Sequence, residues 1–165
     1  MKKILIVCIV ALISSTRICA QTLPELSSIK LDTKEAFKSS EPVVLQAADY
    51  IIALPVDDEN IDKLKSIQFL LKWMEGTPDY TFSISENPTS LFMKNTNLFG
   101  VYMAALCKYA ITSKSTDGND LNLNATRIFI TYITDPAHHV KLNSGLKKLV
   151  EAEKNGELKS FLKIP

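Results

Sequence analysis

Apolar residues recur along most of this chain at spacings of three and four, the period that gathers them on one face of a helix. Val44, Ala47, Ala48 and Ile51 form the first stripe. It opens behind Ser40-Glu41-Pro42, where proline suits the first helical position, and Pro55 closes it. A second stripe runs through Ile61, Leu64, Ile67, Leu71 and Met74, widened by Leu70, Trp73 and Phe69. A face that wide implies more than one neighbour. Asp57-Asp58-Glu59 stand ahead of it and are expected in its first turn, where acids offset the positive end of the helix. Gly76 falls where a C-cap glycine with positive φ is expected, and Pro78 prevents the helix from resuming.

Past that stop the period changes. Tyr80, Phe82 and Ile84 alternate with Thr81 and Ser83, a short extended stretch whose aromatics can fold back on Trp73. Asn87-Pro88-Thr89-Ser90 marks a turn. Leu98, Val101, Tyr102, Ala105 and Tyr109 mark the next helix, and the small residues of "VYMAAL" admit a close neighbour. "SKSTDGNDLNLN", Ser113 to Asn124, reads as a polar loop. "ATRIFITYIT" has the β-branched content of a strand, yet Ala125, Phe129 and Tyr132 also fit a helical face. Helical neighbours favour helix over 125–134. Pro136 closes it, Leu146, Leu149 and Val150 make a further helix, and Leu158, Phe161 and Leu162 make a last turn or two after Asn155-Gly156. Residues 21–40 form a polar lead-in with a short helix around Lys34 to Lys38. The predicted fold is all-α: a compact array or bundle of five to six antiparallel helices in a single domain over 41–165, with one short extended segment near 79–84.

The first 20 residues have a different character. Lys2 and Lys3 precede an unbroken apolar run of ten residues, Ile4 to Ile13, and Ala20 supplies a small residue before a cut. That order is a secretory signal peptide, too short to span a bilayer, with a mature start at Gln21 and an exported, periplasmic or secreted product without a transmembrane anchor. The segment carries Lys2, Lys3 and Arg17 and no acid, so its removal leaves 16 of 19 basic residues against 18 acidic ones, a net charge of −2. Arg127 is then the only arginine. Phosphate backbones are gripped by clustered Lys and Arg, so no nucleic-acid role is expected. Of three cysteines only Cys107 remains, which excludes an internal disulfide framework. The fold therefore has to stand on an apolar core.

Familiar catalytic signatures are absent. The five glycines, at positions 76, 100, 118, 145 and 156, fit neither GxGxxG nor a P-loop, and there is no GxSxG or HExxH. Cys107 lies mid-helix and reads as a small apolar residue. Asp117, Asn119 and Asp120 around Gly118 lack the spacing of a calcium loop. No cofactor is expected.

Two places remain. "LLKWMEGTPDYTFSI", Leu70 to Ile84, concentrates aromatic and polar groups in a connection between helices, where sites tend to lie. Its first reading is a stop, a turn and a return; its functional reading is a groove in which Trp73, Asp79, Tyr80 and Phe82 meet a protein partner or small ligand. "DPAHH" holds both histidines, so Asp135, His138 and His139 are candidate ligands for zinc or copper, as a metal-binding protein or metal-dependent hydrolase. Adjacent histidines point apart, and Asp135 before Pro136 is also a routine turn opener.

"AADYIIALPVDDENIDKLKSIQFLLKWMEGTPDYTFSI", followed by "LFGVYMAALCKYAI", resembles a set of small, uncharacterised exported proteins from Bacteroidetes, with "WMEGTPDYTF" carrying most of the likeness. The resemblance covers roughly Pro42 to Leu162. It implies an all-helical fold and export, and assigns no catalytic residues.

Overall fold

The computed structural model describes residues 23, 25–57, 59–83 and 86–165. The signal-peptide reading of residues 1–20, with its cut after Ala20, lies outside the described residues. Among the described residues eight α-helices follow one another: α1 (Lys34–Ser39), α2 (Glu41–Ala53), α3 (Ile61–Gly76), α4 (Glu86–Thr89), α5 (Thr96–Ser113), α6 (Gly118–Thr134), α7 (Ser144–Lys154) and α8 (Leu158–Phe161). Single 3-10 turns sit at Leu26–Ser28 and Pro136–His138. Among the described residues there is no strand, and the architecture is an all-α array.

Most of the helices begin with a side chain that satisfies their first free N–H groups. Thr33 accepts from the backbone of Ala36, Asn60 from Asp62, Asn95 from Leu98, Asp117 from Asp120 and Asn143 from Leu146. The array is organised around α5. It packs chiefly against α2 and α6, and α3 lies against both α2 and α5. Val101 to Cys107 are buried without a break, the pattern of a helix surrounded by others. The fully buried small residues Ala47 and Ala48 of α2 and Ala104, Ala105 and Ala110 of α5 let backbones come close. At Gly100 a Cβ would stand 2.4 Å from Ile67 Cδ1, so α3 and α5 meet at a point only glycine fits.

Four local expectations are corrected. Residues 118–124 are not loop but the first two turns of α6. The Asp117 carboxylate caps them, and Asn122 and Asn124 donate to the carbonyls of Gly118 and Asp120 one turn back. Asp57 and Glu59 precede α3 rather than entering it; Asn60 caps the helix and Asp62 is the acid of its first turn. The inward face of α3 is rotated from the expected stripe: Lys63, Ser66, Ile67, Phe69, Leu70 and Trp73 are buried, whereas Ile61 and Leu64 are 60% and 45% exposed. Lys63 lies inside because its Nζ donates to the Pro55 carbonyl at 2.6 Å. Finally, Gly76 is not a positive-φ cap. It ends α3, and Thr77 caps the helix with φ −64° and ψ 129°. Glycine is needed there because a Cβ would come within 2.1 Å of Phe37 Cζ.

Candidate functional site

The C-terminal half of α3 and the segment that returns beneath it build the candidate site. Trp73 has no exposed surface, and its indole N–H donates to the Phe37 carbonyl at 2.9 Å, which fastens α1 to α3. Beyond Thr77 the chain turns at Pro78 and Asp79. Tyr80 is buried and Phe82 half-buried, with Thr81 and Ser83 exposed between and after them. That alternation is the period of an extended chain. Both aromatic rings fold back on the indole: Trp73 lies 5.8 Å from Tyr80 and 6.1 Å from Phe82, centroid to centroid, and the two rings are 6.3 Å apart. Tilted trios at such distances add favourable ring contacts to their burial.

The return segment is held at both ends. At one end the Tyr80 hydroxyl donates to Glu41 Oε1 at 3.4 Å and accepts from Lys114 Nζ at 3.3 Å. Lys114 also pairs with Glu41 Oε2 at 2.6 Å. Burial pushes the Tyr80 hydroxyl above its ordinary pKa, and the hydrogen bond to Glu41 raises that of Lys114. At the other end Asn122, buried in α6, donates to the Ser83 carbonyl at 3.0 Å and accepts from the Tyr102 hydroxyl at 3.1 Å. Burial pushes Tyr102 up to about 12.

Between these anchors lies an open groove of about 480 Å³. Helix α3 supplies Leu71, Met74 and Glu75; the return segment supplies Thr77, Tyr80, Thr81 and Phe82. The structure thus brings Trp73, Tyr80 and Phe82 together, with Trp73 beneath the groove as its floor support rather than on its wall. Asp79 is exposed on the turn and outside the groove wall. Leu71 and Met74 were legible only as part of a helical stripe. The signal for them is that the stripe is wider than the chain's own neighbours cover.

Asp135, His138 and His139 are placed at the turn after α6. Asp135 Oδ1 accepts from the Ala137 N–H at 2.9 Å and so caps the 3-10 turn. The His138 ring stacks on Tyr132 at 3.9 Å with a 12° tilt, and its Nδ1 lies 2.9 Å from the Tyr132 carbonyl. His139 points elsewhere, its Nδ1 3.2 Å from Asp57 Oδ1. The turn is tied to the loop before α3, since the Val56 N–H donates to the His138 carbonyl and the Tyr132 hydroxyl to the Leu54 carbonyl. Among the described residues no three His, Cys, Asp or Glu side chains are grouped to hold a metal ion. Cys107 is fully buried, and that burial pushes its thiol well above the usual range.

In comparisons with protein-family models, with curated proteins and with solved structures, nothing matches this chain.

Proposed function

We propose that this chain is an exported, non-enzymatic helical domain that binds a ligand through the groove between α3 and the return segment. The observation that carries the reading is the groove itself. Its volume of about 480 Å³ is of ligand-binding size, and its walls put Leu71, Met74 and Phe82 beside a few polar groups. The aromatic floor and the anchors at Tyr80 and Ser83 make it a preformed surface, which lowers the ordering cost of binding. Its polar lining, Glu75, Thr77, Thr81 and a Tyr80 hydroxyl already engaged by Glu41 and Lys114, offers orientation rather than an activated nucleophile. Export is supported by the charge–apolar–small order of residues 1–20, and no described helix is long and apolar enough to cross a membrane.

The test is titration with N-phenyl-1-naphthylamine, an uncharged dye that brightens in apolar sites. The native chain should bind it, and Met74→Lys should abolish the response while melting within a few degrees of the parent. Dye binding unchanged by Met74→Lys would remove the groove as the site.

A further inference from the structure

Resting on the groove as a binding site, we propose that its ligand is an extended peptide with apolar side chains at alternate positions and a basic residue among them, added as a strand along the return segment. Three independent features converge on that chemistry.

The first is backbone. Among the described residues, the N–H groups of Asp79 to Ser83 donate to no protein group, and only the Ser83 carbonyl of this stretch accepts a bond, from Asn122. Tyr80 and Phe82 are turned inward and Thr81 and Ser83 are exposed, the alternation of an extended chain, and among the described residues the stretch has no partner strand. An unpaired extended edge is a template for another chain, and strand addition is the peptide-recognition mode that uses it. A helical ligand would leave these groups unused. Anchors at Tyr80 and Ser83 hold the template in place before the ligand arrives.

The second is the apolar wall. Leu71 and Met74 face the groove from α3, opposite Phe82. On the same flank, two turns earlier, Leu64 is 45% exposed. Alternate side chains of an added strand point to one side, so a peptide with apolar residues at every second position lays them on this wall.

The third is charge. Glu75 lines the groove and Asp79 stands on its turn; both are exposed and neither takes part in an ion pair. Lys114, whose Nζ reaches the Tyr80 hydroxyl, is already matched by Glu41. Glu75 is the charged side chain in the groove lining, so the wall itself carries negative charge, which favours a basic ligand over an acidic one.

The experiment uses a heptapeptide with leucine at odd positions, threonine at the outer even positions and lysine at the centre. Calorimetric titration should show binding; replacing the lysine by glutamate should weaken it about fivefold, an exposed-pair effect. N-methylating alternate peptide amides should weaken it at least about tenfold, because each lost backbone bond counts. The double variant Glu75→Lys/Asp79→Lys, at exposed positions that the fold does not use, should reverse the preference for lysine over glutamate. Amide exchange at Thr81, Phe82 and Ser83 should slow in the complex. If the dye senses the groove through Met74 but the peptide fails to bind, or binds without slowing those amides, the strand-addition proposal is overturned and the groove reading stands. If neither dye nor peptide responds to Met74→Lys, both fall.

Discussion

Replacing Trp73 by phenylalanine separates a ring that supports the groove from a ring that contacts a ligand. Trp73 has no exposed surface and its indole N–H donates to the Phe37 carbonyl at 2.9 Å. Phenylalanine has no donor, so that carbonyl loses its partner at a cost of about 1–2 kcal/mol. The smaller ring also vacates the space of two or three carbon-sized groups, which at about 0.8 kcal/mol per buried methylene costs about 2 kcal/mol more. The sum is about 3 kcal/mol. At a few degrees per kcal/mol for a domain of this size, the melting temperature should fall by roughly 10 °C. A tryptophan resting on an open surface would instead cost within about 0.5 kcal/mol. Thermal unfolding followed by circular dichroism measures the difference directly. Dye affinity measured well below the new midpoint should stay near the parent value, because the lost atoms lie beneath the groove wall. A drop of less than about 2 °C, or loss of dye binding without loss of stability, would refute this account of the floor.

Gly76→Ala sets a helix-propensity gain of about 1 kcal/mol against displacement of the Phe37 ring, and the displacement should win; in a Phe37→Ala background the same change should become neutral or stabilising, as read by denaturant midpoint. Asn122→Ala strips partners from the Tyr102 hydroxyl and the Ser83 carbonyl, so it should cost about 2–3 kcal/mol and speed amide exchange between Tyr80 and Ser83. Alkaline pH should destabilise the fold. Tyr80, Tyr102, Tyr109 and Lys114 are all raised, so their contributions are intact below the unfolded values near pH 10 and are lost as pH climbs through the folded ones. Tyr102, raised from 10.0 to about 12, accounts for about 2–3 kcal/mol of that loss, and Tyr102→Phe should flatten the stability profile between pH 10 and 12.

Periodicity, together with proline and glycine boundaries, located α2, α3, α5 and the second half of α6, although the inward face of α3 is rotated from the expected stripe. Pro42 opens α2, and Ala125, Phe129 and Tyr132 lie inward on α6 despite a β-branched composition that suits a strand. Tertiary contact decided what pattern could not. The inward face of α3 accommodates Lys63 and Ser66, polar residues that no hydrophobic template selects, because the Pro55 and Asp62 carbonyls receive them. The polar run at the start of α6 looks like loop until Tyr102, Tyr109 and Ser83 are there to satisfy Asn122 and Asn124. Gly76 carried a true stop signal for the wrong reason: the constraint comes from Phe37, 39 residues earlier in the chain, and not from its own φ. At the candidate site the clustering of Trp73, Tyr80 and Phe82 was legible from alternation across a turn. The contribution of Leu71 and Met74 was not, since a stripe does not say which of its edges stays uncovered.

Cys107 gives the fold a built-in clock. In protein lacking residues 1–20 it is the sole sulfhydryl, and it sits in the middle of the central helix with no surface in water. A thiol reagent can reach it only in molecules whose helices have parted, and only as thiolate. The rate of labelling in native buffer therefore counts opening events at the heart of the array. A ligand that clasps the intact array must slow that rate in proportion to its occupancy, whatever its chemistry.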